Sequence, residues 1–388
     1  MRRLEIGIAG AGPAGLAAAI ALERAGHGIT LFDQFDVARA IGSGLILQPT
    51  GLAVLDWLGL GTRMRSLGAR IDRLHGKASG RVVLDVRYEA LGPLRGLAVH
   101  RAGLFNVLHD AAVARGIEIR TGCKVKDLAR HSLILNQADR EGPFDLIVDA
   151  LGSRSPLTPH ASGPDYRRPL DYGAIWASLP WPGAPFEPNA LEQRYRHASV
   201  MAGVLPIGRS FENDAEQAAF FWSLKASDHA GWKAEGLEAW KKDVRALWPE
   251  TGVVLASIAD AGQMTMARYE HHTLQLPFGD GLVFIGDSAH STSPQLGQGA
   301  NVALLDVMAL AQALETCDEL PKALAAYAKA RRFHVKLYQA LSLVFTPFYQ
   351  SDSVLLPMVR DYVVAGLSRL PPAQKLLASV VSGSFGLA

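Results

Sequence analysis

Apolar and polar positions near the amino terminus fall into a short pattern of strand, helix and strand. Ile6, Ile8 and Ala9 form an apolar run that suits a buried parallel strand. A helical stretch then runs to about Ala25, where Gly26 and Gly28 stop it, and Ile29-Thr30-Leu31-Phe32 predicts the next strand. Between the first strand and the helix lies Gly10-Ala11-Gly12-Pro13-Ala14-Gly15, and Asp33 closes the second strand. Each glycine has a physical task in a dinucleotide site. Gly10 allows the tight turn, Gly12 carries no side chain to block a pyrophosphate, and Gly15 lets the helix pack close to the strand. The free N–H groups and positive dipole end of that helix face the anion, and a carboxylate at Asp33 accepts the ribose hydroxyls of an adenosine half. Met1-Arg2-Arg3 before an apolar stretch also has the look of a secretory or twin-arginine signal, but Gly10, Gly12, Pro13 and Gly15 break such a helix, and Glu23 and Arg24 interrupt it.

Further on, the pattern alternates between sheet types. The glycines of Gly42-Ser43-Gly44 imply close backbone approach to something flat, and a helix follows through Leu52, Leu55, Leu58 and Leu60. Val82, Leu84, Val86 and Tyr88 alternate with Val83, Asp85 and Arg87, which predicts a half-exposed antiparallel strand in an insertion over residues 71–93. Helical spacing resumes at Arg101 with Leu104, Val107, Leu108 and Ala111, and Ile117-Glu118-Ile119 and Phe144 to Ala150 predict further strands of the first sheet. Residues 166–269 read as antiparallel, with strands near 172–178, 193–205 and 218–224. Aromatic residues gather there: Tyr172 with Trp176, Tyr195 with His197, and Phe220 with Trp222 share strand faces, which marks this region as the substrate domain. Trp240 and Trp248 sit at helical spacing with Leu237, Val244 and Leu247 and read as packing.

Composition narrows the classes. A chain of 388 residues with 49% hydrophobic content has material for two domains and a large core, and a net charge of +2 with scattered basic residues leaves no footprint for nucleic acid. Cys123 and Cys317 are the only cysteines, too few for a disulfide framework or a structural metal site, which places the chain in a reducing cytoplasm. No apolar run reaches transmembrane length without interruption.

A second glycine-rich loop, Gly286-Asp287-Ser288-Ala289-His290 through Pro294 to Gly297-Gln298-Gly299-Ala300-Asn301, follows the strand Gly281 to Ile285 and opens a long helix. At these residues the chain resembles the FAD-dependent aromatic hydroxylases, the single-component flavoprotein monooxygenases that include p-hydroxybenzoate hydroxylase and the ubiquinone-biosynthesis hydroxylases. The resemblance covers nearly the whole length. Its anchors are Gly10 to Gly15 with Asp33, the helix start at Arg101, the Gly286-Asp287 to Gly299 loop, and the tail Thr346 to Asp352 leading into Arg360-Asp361.

The resemblance implies an α/β fold: a Rossmann-type FAD-binding domain (residues 1–70, 94–165 and 270–340), an inserted antiparallel-sheet substrate domain (71–93 and 166–269), and a C-terminal helical segment (341–388). It implies FAD held by Gly10, Gly12, Pro13, Ala14, Gly15, Asp33, Gln34, Arg39, Gly44, Arg101, Val125, Asp287, Gly297, Gly299, Ala300 and Asn301. Pro294, Gly297 and Gln298 would shape the loop over the flavin ring, with no protein nucleophile and no metal, and His290 reads as structural. A C4a-hydroperoxyflavin would hydroxylate an aromatic small molecule with molecular oxygen and NAD(P)H, and Tyr172, Trp176, Tyr195, Phe220 and Trp222 are the substrate candidates. The helix N-terminus after Gly299 offers N–H groups to the negative charge of a reduced flavin. Leu151 stands where the family has the aspartate of Ala-Asp-Gly, associated with the pyrophosphate region and nicotinamide binding, and this departure predicts slow reduction by NAD(P)H. An FAD oxidoreductase without oxygen insertion and a flavin-binding regulatory protein are the competing readings. Integral membrane insertion is not expected, a homodimer is allowed, and the tail is expected to pack its apolar surface on the FAD domain or a partner, with membrane-surface contact as the rival.

Overall fold

The apolar run Glu5–Ala9 becomes a central strand of a six-stranded sheet. Gly28–Phe32 and Leu146–Asp149 pair with it in parallel, Glu118–Arg120 and Leu282–Phe284 extend the sheet in parallel on either side, and the edge strand Phe278–Gly279 runs antiparallel. Strands covered on both faces are apolar along their whole length rather than alternating. One face is covered by the helices Pro13–Arg24, Arg101–Ala114 and Gly299–Thr316 through Ile8, Leu16, Ile20, Leu104 and Leu304. The other is covered by a small three-stranded sheet, whose Val125, Leu133 and Leu135 meet Phe32, Ile147 and Phe284. The computed structural model describes residues 2–36, 43–136, 139–211, 215–368 and 370–387.

A second sheet has seven strands in the order Thr265–Ala267, Tyr172–Pro180, Gln217–Lys225, Val200–Gly208, Ala190–Arg196, Arg73–Ala78 and Arg81–Arg87. The hairpin from the early insertion joins it by parallel pairing of Arg73–Ala78 with Ala190–Arg196. The stretch 193–205, expected as one strand, is two, because the chain turns at His197 with φ of 56°. One face of this sheet buries Phe220 and Trp222 beneath Trp232, Trp240 and Trp248 of the following helical region. The other carries Leu205, Ile207, Phe221 and Tyr195 toward Ile46, Ala98 and the C-terminal segment.

The helix Leu320–Tyr349 crosses the boundary expected near residue 340, and Leu355–Met358, Val359–Val364 and Pro371–Val381 follow it. The tail packs on the rest of the chain only in part: Leu355, Met358, Tyr362, Val363 and Leu370, from the apolar surface expected to pack on the FAD domain or a partner, are exposed. Among the described residues no helix is long and apolar enough to cross a membrane.

Candidate functional site

Four loops leave the C-terminal edge of the six-stranded sheet, after Ala9, Phe32, Asp149 and Phe284, the edge at which open α/β sheets bind ligands. Gly10 has φ of 101°, and a Cβ there would stand 2.5 Å from the Ala150 carbonyl oxygen. At Gly15 a Cβ would overlap the Gly10 carbonyl oxygen, so helix and turn touch backbone to backbone. At Gly12 it would meet no protein atom within 4 Å. The first intrahelical bond runs from the Leu16 N–H to the Gly12 carbonyl at 2.9 Å, so the N–H groups of Ala14 and Gly15 precede the helical ladder. Asp33 accepts the Ala11 N–H at 2.8 Å and the Phe35 N–H at 3.0 Å, which fixes its carboxylate beside the glycine turn and leaves lone pairs for hydroxyl donors.

The second glycine loop meets the first. Gly286 has φ of 62°, and a Cβ there would lie 3.1 Å from the Ala303 Cβ and 3.4 Å from the Ala14 Cβ, so it is wedged between the N-terminal portions of two helices. Two helix N-termini, capped at Gly12 and Gln298, thereby border one crevice. Asp287 stands between them, its Oδ1 3.9 Å from the Cβ position of Gly299. The Asp287 carboxylate is solvent-accessible yet ringed by protein, and this crowding raises its pKa against the opposing charges of His290 and Arg101. Arg101 opens its helix with its own N–H bonded to the Ser43 carbonyl at 2.8 Å.

Behind the loop, buried Asp306 accepts the Gly286 N–H at 2.9 Å and pairs with His290 at 2.7 Å and with Arg331 at 2.8 Å. Burial would raise its pKa, but the two partners hold it at about 2. The His290 ring is thus committed to a buried contact with Asp306. Asn301, fully buried, accepts the Gln48 N–H at 2.7 Å and donates to the carbonyls of Ile46 at 3.1 Å and Gly297 at 3.0 Å. These bonds lock the first turn of Gly299–Thr316 to the segment after Gly44. Pro294 begins a short 3-10 turn that ends at Gly297 with φ of 61°.

Several expected contacts fall elsewhere. The side chain of Gln298 turns away from the crevice and donates to the Val381 carbonyl at 2.5 Å. It is one of four donors on successive carbonyls at the end of the last helix: Tyr338 bonds Val380 at 2.9 Å, Thr50 bonds Ser382 at 3.1 Å, and His334 bonds Gly383 at 2.9 Å. A helix C-terminus leaves such carbonyls without partners, and these side chains supply them. Gly44 is glycine because the Ile207 side chain fills the space of its Cβ, so the flat surface it approaches is the second sheet. Val125 is buried with Phe32 and Leu133, while its segment is held to the first loop by the Cys123 N–H on the Asp33 carbonyl at 2.7 Å. Gln34 is exposed beside Asp33, Ala300 is half-buried in the first turn after Gln298, and Arg39 and Gly42 lie outside the described residues.

Of the five substrate candidates, Trp176 is half-buried on the inner sheet face, its Nε1 donating to the Tyr269 hydroxyl at 3.0 Å. Tyr172 is tied to Asp352 at 2.7 Å, and Tyr195 is covered by Tyr349 and the Arg360 guanidinium. Phe220 and Trp222 belong to the hydrophobic core on the opposite face and cannot reach the crevice. Trp176 pairs across strands with Phe221, with ring centroids 4.7 Å apart, so register puts Phe221, which sequence reasoning passed over, on the inner face. Tyr269 was also missed. Next to it, the Glu270 carbonyl accepts the Ser291 hydroxyl at 2.9 Å, and Ser293 reaches Thr346 at 2.6 Å. The inner sheet face, the 291–297 loop and the end of Leu320–Tyr349 are therefore three linked walls.

The departure at Leu151 has a local answer. Asp149, two residues earlier, accepts the Leu151 N–H at 2.9 Å and the Ser155 hydroxyl, while the Leu151 side chain packs beside Phe32 and Phe284. Burial lifts the Asp149 pKa to about 7 in spite of these donors.

The FAD binding domain family model matches residues 3–338. Aurachin C monooxygenase/isomerase of Stigmatella aurantiaca is 26% identical over 361 residues, covering 84% of this chain and 85% of the relative. The 6-methylpretetramide 4-monooxygenase of Streptomyces rimosus is 25% identical over 405 residues, covering 98% and 92%. The structure of HpxO of Klebsiella pneumoniae complexed with FAD and uric acid superimposes with a TM-score of 0.81 at 19% identity, covering 98% of each chain. With the match spanning both glycine loops and both sheets, the chain belongs to the FAD binding domain family.

Proposed function

We propose that this FAD-dependent monooxygenase places one atom of molecular oxygen on an electron-rich, largely apolar aromatic or conjugated small molecule, with NAD(P)H as the reductant. The observation that carries the reading is the convergence of the helix N-termini at Gly12 and Gln298 on one crevice beside the inner sheet face. FAD fits the residues present, since the space beside Gly12 admits a pyrophosphate and Asp33 keeps acceptor capacity for ribose hydroxyls. In this placement the N–H groups of Ala14 and Gly15 and the charge of Arg101 meet the phosphates, and Asp287 accepts sugar-chain hydroxyls. When bound, the flavin supplies hydride acceptance and oxygen activation, chemistry that no side chain here provides. The N–H groups of Gly299, Ala300 and Asn301 precede the first intrahelical bond, from Val302 to Gln298 at 2.9 Å, and stabilise negative charge at the ring edge. Trp176 and Phe221 give an aromatic ring a flat apolar wall, and Tyr269 holds the indole in place. Pro294 and the end of Leu320–Tyr349 exclude water from the reacting centre.

Two monooxygenases among the relatives support oxygen insertion over simple dehydrogenation. Asp149 accepts the Leu151 N–H and the Ser155 hydroxyl, which holds the turn in place without an aspartate at Leu151, and slow reduction by NAD(P)H stays the expected consequence of that departure. The test follows flavin reduction by NADH and NADPH with and without a panel of phenols and quinolones, then weighs the products. A gain of one oxygen atom from isotope-labelled oxygen gas is expected. Fast reduction with no oxygenated product from any member would favour an FAD oxidoreductase without oxygen insertion.

A further inference from the structure

The helix Leu320–Tyr349 contains no aspartate or glutamate in its 30 residues. Its inward stripe packs against the flavin-loop helix and the 293 loop, with Arg331 committed to Asp306 and Thr346 to Ser293. At 100° per residue, Lys329, Arg332, Phe333, Lys336, Leu343 and Val344 fall on the opposite stripe, and all six are exposed. Lys329, Arg332 and Lys336 make no ion pair with the described residues, whereas Lys322 is engaged by Glu319 at 2.5 Å. The stripe is basic over its middle and apolar toward its end.

The surface continues beyond that helix. Leu355–Met358 packs back against it, and Leu355, Met358 and Tyr362 recur at helical spacing with their side chains in solvent, Leu355 at 67% and Tyr362 at 62% exposure. The two acids of this region are paired within the fold: Asp352 with Lys225 at 2.5 Å, while also accepting the Tyr172 hydroxyl, and Asp361 with Arg360 at 2.6 Å. Arg81 lies over the Tyr362 ring at 4.6 Å and adds a cation at the border. Exposed apolar side chains grouped on packed neighbouring elements beside these cations point to an interaction site. A second copy docked by a two-fold axis on the same stripe would set Lys329, Arg332 and Lys336 against their own counterparts, a like-charge contact. An anionic bilayer supplies the opposite charge and an apolar phase for Phe333, Val344 and Leu355 together.

We propose that the outward stripe of Leu320–Tyr349, with the exposed turns after it, docks peripherally on an anionic lipid surface. The inference does not depend on the substrate reading. The test uses the full FAD-loaded chain in flotation with vesicles of phosphatidylcholine alone and of phosphatidylcholine with phosphatidylglycerol at about three to one. Wild-type protein is expected to float with the anionic vesicles, to stay behind with the neutral ones, and to be released by salt. Each cation near such a surface contributes roughly fivefold, so Lys329→Gln/Arg332→Gln/Lys336→Gln should weaken binding on the order of a hundredfold. Val344→Ser/Leu355→Ser should weaken it while leaving the salt dependence in place. All five positions are exposed, and an unchanged flavin spectrum verifies the fold of each variant. Wild-type protein that stays with the unbound fraction at low salt, or a triple variant that floats equally well, overturns the proposal. Absence of flotation together with a concentration-dependent dimer lost in the Val344→Ser/Leu355→Ser variant would assign the surface to a second copy instead.

Discussion

Asp149 carries the most consequential acid–base chemistry outside the cofactor loops. In the unfolded chain it ionises near 3.8, and in the folded chain near 7, because burial outweighs the hydrogen bonds from Ser155, Leu151 and Ser288. Between those values the folded state holds a proton that the unfolded state has released, so stability from this group is highest in acid and falls as pH rises toward 7. Asp149→Asn keeps an acceptor for the Leu151 N–H and has no charge to bury. Denaturant melts from about pH 5 to about pH 8 should therefore show the variant gaining on wild type as pH rises. Parallel curves would contradict the placement of this proton. The pair Asp149 and Leu151 also marks a limit of the sequence. The missing family aspartate is visible at Leu151, but the turn that brings Asp149 back onto the Leu151 N–H is a matter of backbone geometry that no motif spells out.

At the level of single elements, the strand Gln217–Lys225 decides which aromatics face the crevice. Alternation makes Phe220 and Trp222 share a face, and this much is legible in the sequence. Which face is inward depends on the pairing of Trp176 with Phe221, and a slip of one residue would exchange the two sets. Phe220→Ala should cost about 3–5 kcal/mol in a chemical melt, since Phe220 is fully buried against Trp240, and leave the turnover of the remaining folded protein unchanged. Phe221→Ala should instead alter KM for the aromatic substrate. The reverse pattern would put the substrate side on the other face of the sheet. Gln298 teaches the same lesson for a loop. Its position between Gly297 and Gly299 was plain, but its direction was set by carbonyls more than eighty residues away that needed a donor.

Over the whole molecule, the parallel sheet, its glycine turn and the second glycine loop were readable because each follows from local rules: an apolar run, a residue without a side chain, a helix start. Strands from 73–87 and from 172–225 share the seven-stranded sheet, and the parallel pairing that unites them carries no local signal in the sequence. The tail was the least legible part, since an apolar surface in the sequence does not say whether it is buried, and Leu355, Met358, Tyr362, Val363 and Leu370 are not.

The proposed placement sets FAD across Gly12 between two helix N-termini. A Cβ at Gly12 meets no protein atom within 4 Å, whereas one at Gly15 would collide with the Gly10 carbonyl oxygen. Gly15→Ala should thus fail as a fold. Gly12→Val should fold normally and still lose the cofactor, because only the pyrophosphate competes for that space. The direct measurement is the flavin content of purified Gly12→Val protein, read from its visible absorbance beside a far-ultraviolet circular dichroism spectrum and a melting curve. This placement of the cofactor predicts a native spectrum with most of the FAD gone. A folded Gly12→Val protein with its full complement of flavin would contradict it.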